Sequence, residues 1–283
     1  VSTDWRPACT LSALRVRAGM LADIRQFFAE RGLLEVSATV VAAHTVTDPN
    51  IESIAAGPIG YLQTSPEYQL KRLLAAGVPS LYSLGPVFRA GELGRLHNPE
   101  FTLLEWYRLG YDDVQLMAEV AELVDLILGS DDYHFHRYAA LVGDLNRPAA
   151  ELDLALVDAL AELGPGRHFI THYPADQAAL ARLHADEPET AARFELVVDG
   201  VELANGYHEL TDADEQRRRF ARDIEQRRIA GRVEPSLDER FLAALDSGLP
   251  DCAGVALGVD RLLMLKQGAD SLAAVTAFPA DRA

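Results

Sequence analysis

The sequence holds 283 residues, 49% apolar and 24% charged, with 26 Lys plus Arg against 43 Asp plus Glu and a formal net charge of -17. That balance excludes a mainly disordered or collagen-like chain and leaves enough apolar material for a sizeable core, while the acidic excess argues against a large RNA or DNA partner, whose binding surfaces are basic. No run approaches the ~18 apolar residues of a membrane helix, and Cys9 and Cys252, the two cysteines, stand far apart outside any C-x-x-C pair, which removes a disulfide framework or thiolate zinc site from consideration. The expected location is cytoplasmic.

From the N-terminus, apolar residues at Leu14, Met20, Leu21, Ile24, Phe27 and Phe28 recur at helical spacing and predict a helix over Leu11 to Arg31, stopped by Gly32. A strand over Leu33 to Val41 is expected next. Ser65 can cap a helix running from Glu67 to Ala76, with Pro66 at its first position. Ser80 to Arg89 and Glu100 to Tyr111 read as two antiparallel strands around a Gly-containing loop. Asp112 or Asp113 caps a long helix that ends at Gly129. The stretch from Ser130 to Arg193 is less regular, with a helix expected at Leu152 to Leu163 and a strand at His168 to Tyr173. Phe194 to Val198 and Val201 to Ala204 flank Asp199-Gly200, a dipeptide suited to a type I′ hairpin turn. Thr211 with Asp214 resembles a capping box for a helix reaching about Ala230. On that helix Arg217, Arg218, Arg219, Arg222, Arg227 and Arg228 alternate with acids, as on a solvated, salt-bridged face. Ala253 to Leu257 reads as a strand and Val259 to Lys266 as a helix. Without β-α-β alternation, the class is α+β.

The hairpin geometry can be derived. With Asp199-Gly200 as the turn, Val198 pairs with Val201, Val197 with Glu202, Leu196 with Leu203 and Glu195 with Ala204. Glu195 and Glu202 then share a face as diagonal neighbours about 7 Å apart. Two such carboxylates suit a nucleotide-bound Mg²⁺; a wet outer face with two unrelated acids fits the same pattern. Alternation in Glu100 to Tyr111 places Phe101, Leu103, Glu105 and Tyr107 together, so Glu105 projects among apolar side chains and needs a cation or donors. Arg89, at a strand end, could fork onto a phosphate or form an ordinary ion pair. No G-x-x-x-x-G-K-[ST] or G-x-G-x-x-G loop is present. The pairs His134/His136 and His168/His172 lack a third zinc ligand nearby.

Longer motifs carry a resemblance. Val87-Phe88-Arg89 with Gly94-Arg95-Leu96-His97-Asn98-Pro99-Glu100-Phe101-Thr102-Leu103-Leu104-Glu105-Trp106-Tyr107 is similar to motif 2 of class II lysyl-tRNA synthetases. Gly254-Val255-Ala256-Leu257-Gly258-Val259-Asp260-Arg261 resembles their motif 3. Glu202 to Leu210 resembles the glutamate-rich segment between them, and Thr64 to Tyr68 an upstream turn. Within that superfamily the similarity is closest to short paralogues that modify elongation factor P. The resemblance implies an antiparallel sheet flanked by helices and a homodimer formed through motif 1. It also implies ATP-dependent activation of lysine or β-lysine, with transfer to a lysine of elongation factor P rather than to tRNA. Residues 1–283 would be one catalytic domain, since the segment before Leu11 is too short for an anticodon-binding domain.

Carried over residue by residue, Arg89 and Arg261 would be the catalytic cations, and Glu195 and Glu202 would bind Mg²⁺. Glu92, Asn98, Leu203 and Gly258 would join Arg89, Glu202 and Arg261 around ATP. Ser65, Pro66, Glu67, Glu105, Tyr107, Asn205, Glu209 and Ala256 would bind the diamino acid. Ala256 stands where the synthetases have Gly. Glu92 comes one place later than the acid that usually follows the motif 2 arginine, and the motif 1 proline expected near Thr39 is absent.

Overall fold

The computed structural model describes residues 5–283. It opens with α1 (Leu11–Glu30), β1 (Leu34–Glu35), β2 (Val41–Ala42), β3 (Tyr61–Leu62), α2 (Glu67–Ala75), β4 (Leu81–Phe88) and β5 (Glu100–Leu109). The middle comprises α3 (Asp113–Leu128), β6 (Tyr133–Arg137), α4 (Tyr138–Val142), α5 (Ala149–Leu163) and β7 (Arg167–Pro174). It closes with β8 (Thr190–Val198), β9 (Val201–His208), α6 (Ala213–Ile229), α7 (Glu239–Asp246), β10 (Cys252–Gly258) and α8 (Val259–Lys266).

Local chemistry accounts for most boundaries. Thr10 accepts the Ala13 N–H at 3.1 Å to start α1, and Asp112 with Gln115 closes a full capping box on α3. Asp199 and Gly200 both take positive φ, 50° and 75°, as the I′ turn requires. The expected solvated arginine face of α6 holds only in part: Arg218 pairs with Glu215 and Arg228 with Glu225 at the surface, whereas Arg219 and Arg227 are buried and donate to the carbonyls of Ala179 and Ala181 and of Asp48 and Ile51. Four expectations are corrected. The cap of α2 is Pro66 rather than Ser65, which instead accepts the Glu67 N–H from outside the helix. The predicted strand Leu33 to Val41 reduces to β1 and β2 at its two ends: Leu33 enters the core and Val36 packs on the second cluster, but Leu34 and Val40 are exposed. The α6 cap is Asp212, which accepts the Glu215 N–H at 2.9 Å, not Thr211. The strand β6 and helix α7 fall where no element was predicted.

Eight strands form one sheet in the order β1-β4-β5-β10-β9-β8-β7-β6. The six inner strands run antiparallel, whereas β1 on β4 and β6 on β7 are parallel, so the sheet is mixed rather than wholly antiparallel. Each parallel neighbour is reached by a crossover, through α2 for β4 and through α4 and α5 for β7, as parallel pairing demands.

One sheet face packs under α1, α3 and α8. Phe28, Trp106, Leu116, Val120, Phe194, Val255 and Leu263 are all buried there, each aliphatic or phenyl side chain contributing about 1.5–3 kcal/mol. On the opposite face Tyr107 and Leu81 join Leu70, Phe220 and Phe241 of α2, α6 and α7. Between those helices and the hairpin this second face carries polar groups.

Candidate active site

Cross-strand register lines the polar groups up. Ser83 of β4 opposes Glu105 of β5, Glu105 opposes Ala256 of β10, Ala256 opposes Asn205 of β9, and Asn205 opposes Glu195 of β8. Opposed residues share a face, so Glu105, Ala256, Asn205 and Glu195 form one row across the sheet. The next row on that face is Leu81, Tyr107, Gly254, Tyr207 and Arg193.

The hairpin reaches this arrangement by a bulge the local sequence does not announce. Val198 pairs with Val201 and Val197 with Glu202 as predicted, but Leu196 then pairs with Ala204 and Glu195 with Asn205. Leu203 is the extra residue. Leu203 and Ala204 both point into the core under α3, leaving Glu202 and Asn205, three apart, on the functional face with Glu195. In the unbulged register Asn205 would have faced the core.

At one end of the row lies an acidic pocket. Glu105, 2% exposed, accepts hydrogen bonds from Ser65 Oγ–H at 2.7 Å and Tyr107 Oη–H at 2.9 Å. Burial, reinforced by the charge of Glu67, pushes its carboxyl up to about 8. Ser65 also accepts the Glu67 N–H at 3.1 Å, so the turn with Pro66 sets both the first turn of α2 and one pocket wall. Glu209, just past β9, is 1% exposed; burial raises it to about 7 against the opposing pull of Lys71. Lys71 reaches Glu67 Oε1 and Glu209 Oε2, both at 2.6 Å. Burial alone would lower its pKa, but the two carboxylates hold it above the ordinary lysine value. Gly254 lets these groups meet: a Cβ there would lie 2.3 Å from the Tyr107 ring and 2.4 Å from Glu209 Oε1. Asn205 Oδ1 is buried and finds no donor among the described residues.

At the other end, guanidinium groups and carboxylates converge. Arg261, in the first turn of α8, donates to the Glu202 carbonyl at 2.7 Å and lies 3.7 Å from its carboxylate. Its second Nη donates to His97 Nε2 at 3.0 Å. That bond requires a neutral His97, whose pKa is lowered by burial and by Arg261. Arg89 stacks over Phe101 with its guanidinium carbon 5.1 Å from the ring centre and approaches Glu92 at 3.7 Å. Glu202 is recessed in the cleft, though half of its side chain is accessible; the cleft walls and then Glu195 raise its pKa, with Arg261, Arg193 and Arg89 pulling the other way. Glu195 is held by Arg193 at 2.6 Å. Two adjacent carboxylates, one carrying like-charge strain, are a donor set that fits a hydrated divalent cation.

The motif residues are thus brought together, with two adjustments. Asn98 gives its amide to the Glu100 carbonyl at 2.6 Å and accepts the Ala280 N–H at 3.0 Å, so its side chain shapes the loop. Leu203 is a core residue whose side chain is buried among the apolar residues under α3. Gly258 caps α8 at the base of Arg261. Sequence reasoning assigned no role to Lys71, His97 or Arg193. The position of Lys71 one turn after Glu67 was visible as an i, i+4 pair, but its burial was not.

The sequence matches the family described as tRNA synthetases class II (D, K and N) over residues 2–282. It is 44% identical to the elongation factor P–(R)-β-lysine ligase of Proteus mirabilis (strain HI4320), across 99% of this chain and 98% of that protein. Proteins of the same name from Yersinia enterocolitica and Salmonella paratyphi B are 42% and 43% identical, each across 100% of this chain and 99% of the relative.

Proposed function

The chain belongs to the class II tRNA synthetases (D, K and N) and is a ligase of that type, and from this premise we propose that it activates (R)-β-lysine or lysine with ATP and transfers it to a lysine side chain of elongation factor P. The observation that carries the reading is the single sheet face on which a buried acidic pocket adjoins the cluster of Arg89, Arg261, Glu195 and Glu202. The acceptor is taken from the relatives' names.

In this reading Glu105, Glu67 and Glu209 receive the two ammonium groups of the diamino acid, with Asn205, Tyr107 and the Ser65-Pro66 turn shaping the pocket around Ala256. The substrate carboxylate is thereby directed along the row toward the nucleotide. Its oxygen attacks the α-phosphorus, the bond to the bridging oxygen breaks, and pyrophosphate leaves. Arg89 holds the charge that grows on the α-phosphoryl oxygens. Arg261, kept in place by the Leu96 and Glu202 carbonyls and by His97, grips the far end of the nucleotide near Glu92 and Gly258. Glu195 and Glu202 are the residues that would hold Mg²⁺, which supplies charge neutralisation for the leaving pyrophosphate. The neutral ε-amine of the acceptor lysine then attacks the acyl carbon, AMP departs with the electron pair of the mixed anhydride, and the amine proton is lost to solvent. No protein nucleophile is required; positioning and electrostatics suffice. A cytoplasmic homodimer is part of the same reading.

Amino-acid-dependent pyrophosphate exchange with lysine and with (R)-β-lysine, followed by mass analysis of purified elongation factor P and of tRNA, tests it. The expected result is exchange and a mass gain on the factor alone. Exchange with acylated tRNA and unmodified factor would reassign the acceptor; no exchange would remove the ligase chemistry.

A further inference from the structure

Of the 26 basic side chains, 24 are arginine, and lysine occurs only at Lys71 and Lys266. Lys71 is buried to 1% exposure between Glu67 and Glu209. An ammonium is a compact point charge that fits between two carboxylates on different elements, where a planar guanidinium fork would need more room. The groups facing it are Glu67 on its own helix, Glu105 on β5, Glu209 after β9, Cys252 on β10, Arg182 behind Glu209, and the Phe241 ring of α7 with its centre 6.0 Å from Nζ. Among these the pocket proper counts three carboxylates against one resident cation. Two carboxyl groups beyond the one that Lys71 neutralises can each take up a further ammonium as their protons leave, since burial raises Glu105 to about 8 and Glu209 to about 7, and Glu209 Oε1, fully buried, has no hydrogen-bond donor among the described residues.

We propose that Lys71 is a positioning residue that sets the charge capacity of the pocket: by occupying one ammonium position permanently, it leaves places for two more and so matches a ligand carrying two ammonium groups. This rests on the amino-acid-activating function proposed above. Without Lys71 the three carboxyl groups lose their internal counter-ion and hold their protons to still higher pH, so an entering ammonium must displace more tightly held protons. With Lys71, Glu67 and Glu209 stay at fixed separation, and the entering ammonium groups complete the neutralisation. A monoamine of the same length, such as norleucine, leaves one carboxylate uncompensated and is excluded electrostatically rather than by size.

Lys71→Met keeps an unbranched side chain of similar length and removes the charge. In pyrophosphate exchange the wild type should use lysine or (R)-β-lysine and reject norleucine. The variant should show KM for the diamino acid raised about tenfold or more, exceeding any fall in kcat, and an acidic limb of kcat/KM displaced upward by about one pH unit. A residue serving only stability would lower the amount of active enzyme without moving that limb. A folded variant, judged by near-ultraviolet circular dichroism, with KM and limb unmoved would overturn the proposal.

Should Lys71→Met fail to fold, wild-type protein labelled with ¹⁵N at lysine Nζ decides the matter. It offers two side-chain signals, assigned through Lys266→Arg. The Lys71 ammonium should shift on saturation with lysine and stay fixed with norleucine; no shift with lysine would overturn the proposal. Absence of diamino-acid-dependent exchange in the wild type would instead remove the underlying function, so the two failures are distinguishable.

Discussion

Two carboxyl groups of the acidic pocket hold protons near neutral pH, and that sets the sign of its pH dependence. Glu105 is pushed up to about 8 and Glu209 to about 7, in both cases first by burial. Ammonium groups bind the ionised carboxylates, so affinity for the diamino acid should rise with pH through about 7 to 8 and fall below it; calorimetric titrations at several pH values, with proton release read from buffers of different ionisation enthalpy, check this. Stability should run the opposite way. A carboxyl whose folded-state pKa exceeds its usual 4.5 binds more protons folded than unfolded, so its stabilising effect is present at low pH and is lost as pH rises from about 4.5 to 8. The melting temperature of the ligand-free protein should therefore decline across that window, and saturating diamino acid should flatten the slope. Gly254→Ala places a methyl against Tyr107 and Glu209 and should raise KM for the amino acid by about tenfold or more while leaving that for ATP nearly unchanged; an unaltered amino-acid KM would mean the ring and carboxylate move aside freely. Glu202→Gln removes one of two carboxylates from the proposed cation site and should lower exchange by about a hundredfold or more; wild-type rates in that variant would end the metal role. These groups were legible as residue types, since a glutamate on an apolar strand face and a carboxylate pair across an Asp-Gly turn both ask for a counter-charge. Lys71 was not, because nothing local distinguishes a buried i, i+4 pair from a solvated one.

At the level of elements, turn chemistry and capping were readable and strand register was readable only near the turn. The Asp-Gly pair sets Val198 against Val201 and Val197 against Glu202, but the extra residue at Leu203 follows from packing: Leu203 and Ala204 are both drawn into the core. The bulge decides function, since it turns Asn205 toward Glu195. The short strands β1 and β2 show the converse error, an apolar stretch of which Leu33 and Val36 reach the core while Leu34 and Val40 stay exposed. Asp112 illustrates a boundary the sequence shows plainly, because its side chain and that of Gln115 satisfy otherwise unpaired backbone groups. Asp112→Ala should cost about 1 kcal/mol, a drop of roughly 2–4 °C in melting temperature for a chain of this size, with exchange kinetics unaffected at 25 °C. A much larger loss would show that α3 is held by its cap more than by its buried face.

Over the whole molecule, composition bears on chemistry that the proposed reaction makes hazardous. An aminoacyl-adenylate acylates accessible amines, and this chain carries 24 arginines and two lysines, one of them buried. Replacing exposed Arg218 and Arg222, whose side chains are 64% and 62% accessible, by lysine should make the protein gain aminoacyl mass when incubated with ATP and lysine without acceptor; equal labelling of wild type and variant would show that lysine scarcity confers no protection. The sequence by itself determined the α+β class, the long helices, the hairpin and the chemical character of the site, because periodicity, caps and turn residues act over a few positions and the motif residues carry their chemistry with them. Only the tertiary structure decided that Glu105, Ala256, Asn205 and Glu195 fall in one row, that the sheet edges are parallel, that Asn98 serves the backbone, and that Lys71 sits among three carboxylates. Those outcomes depend on register and burial between segments as many as 155 residues apart, Leu103 against Gly258, where pairing is settled by how all the side chains pack at once.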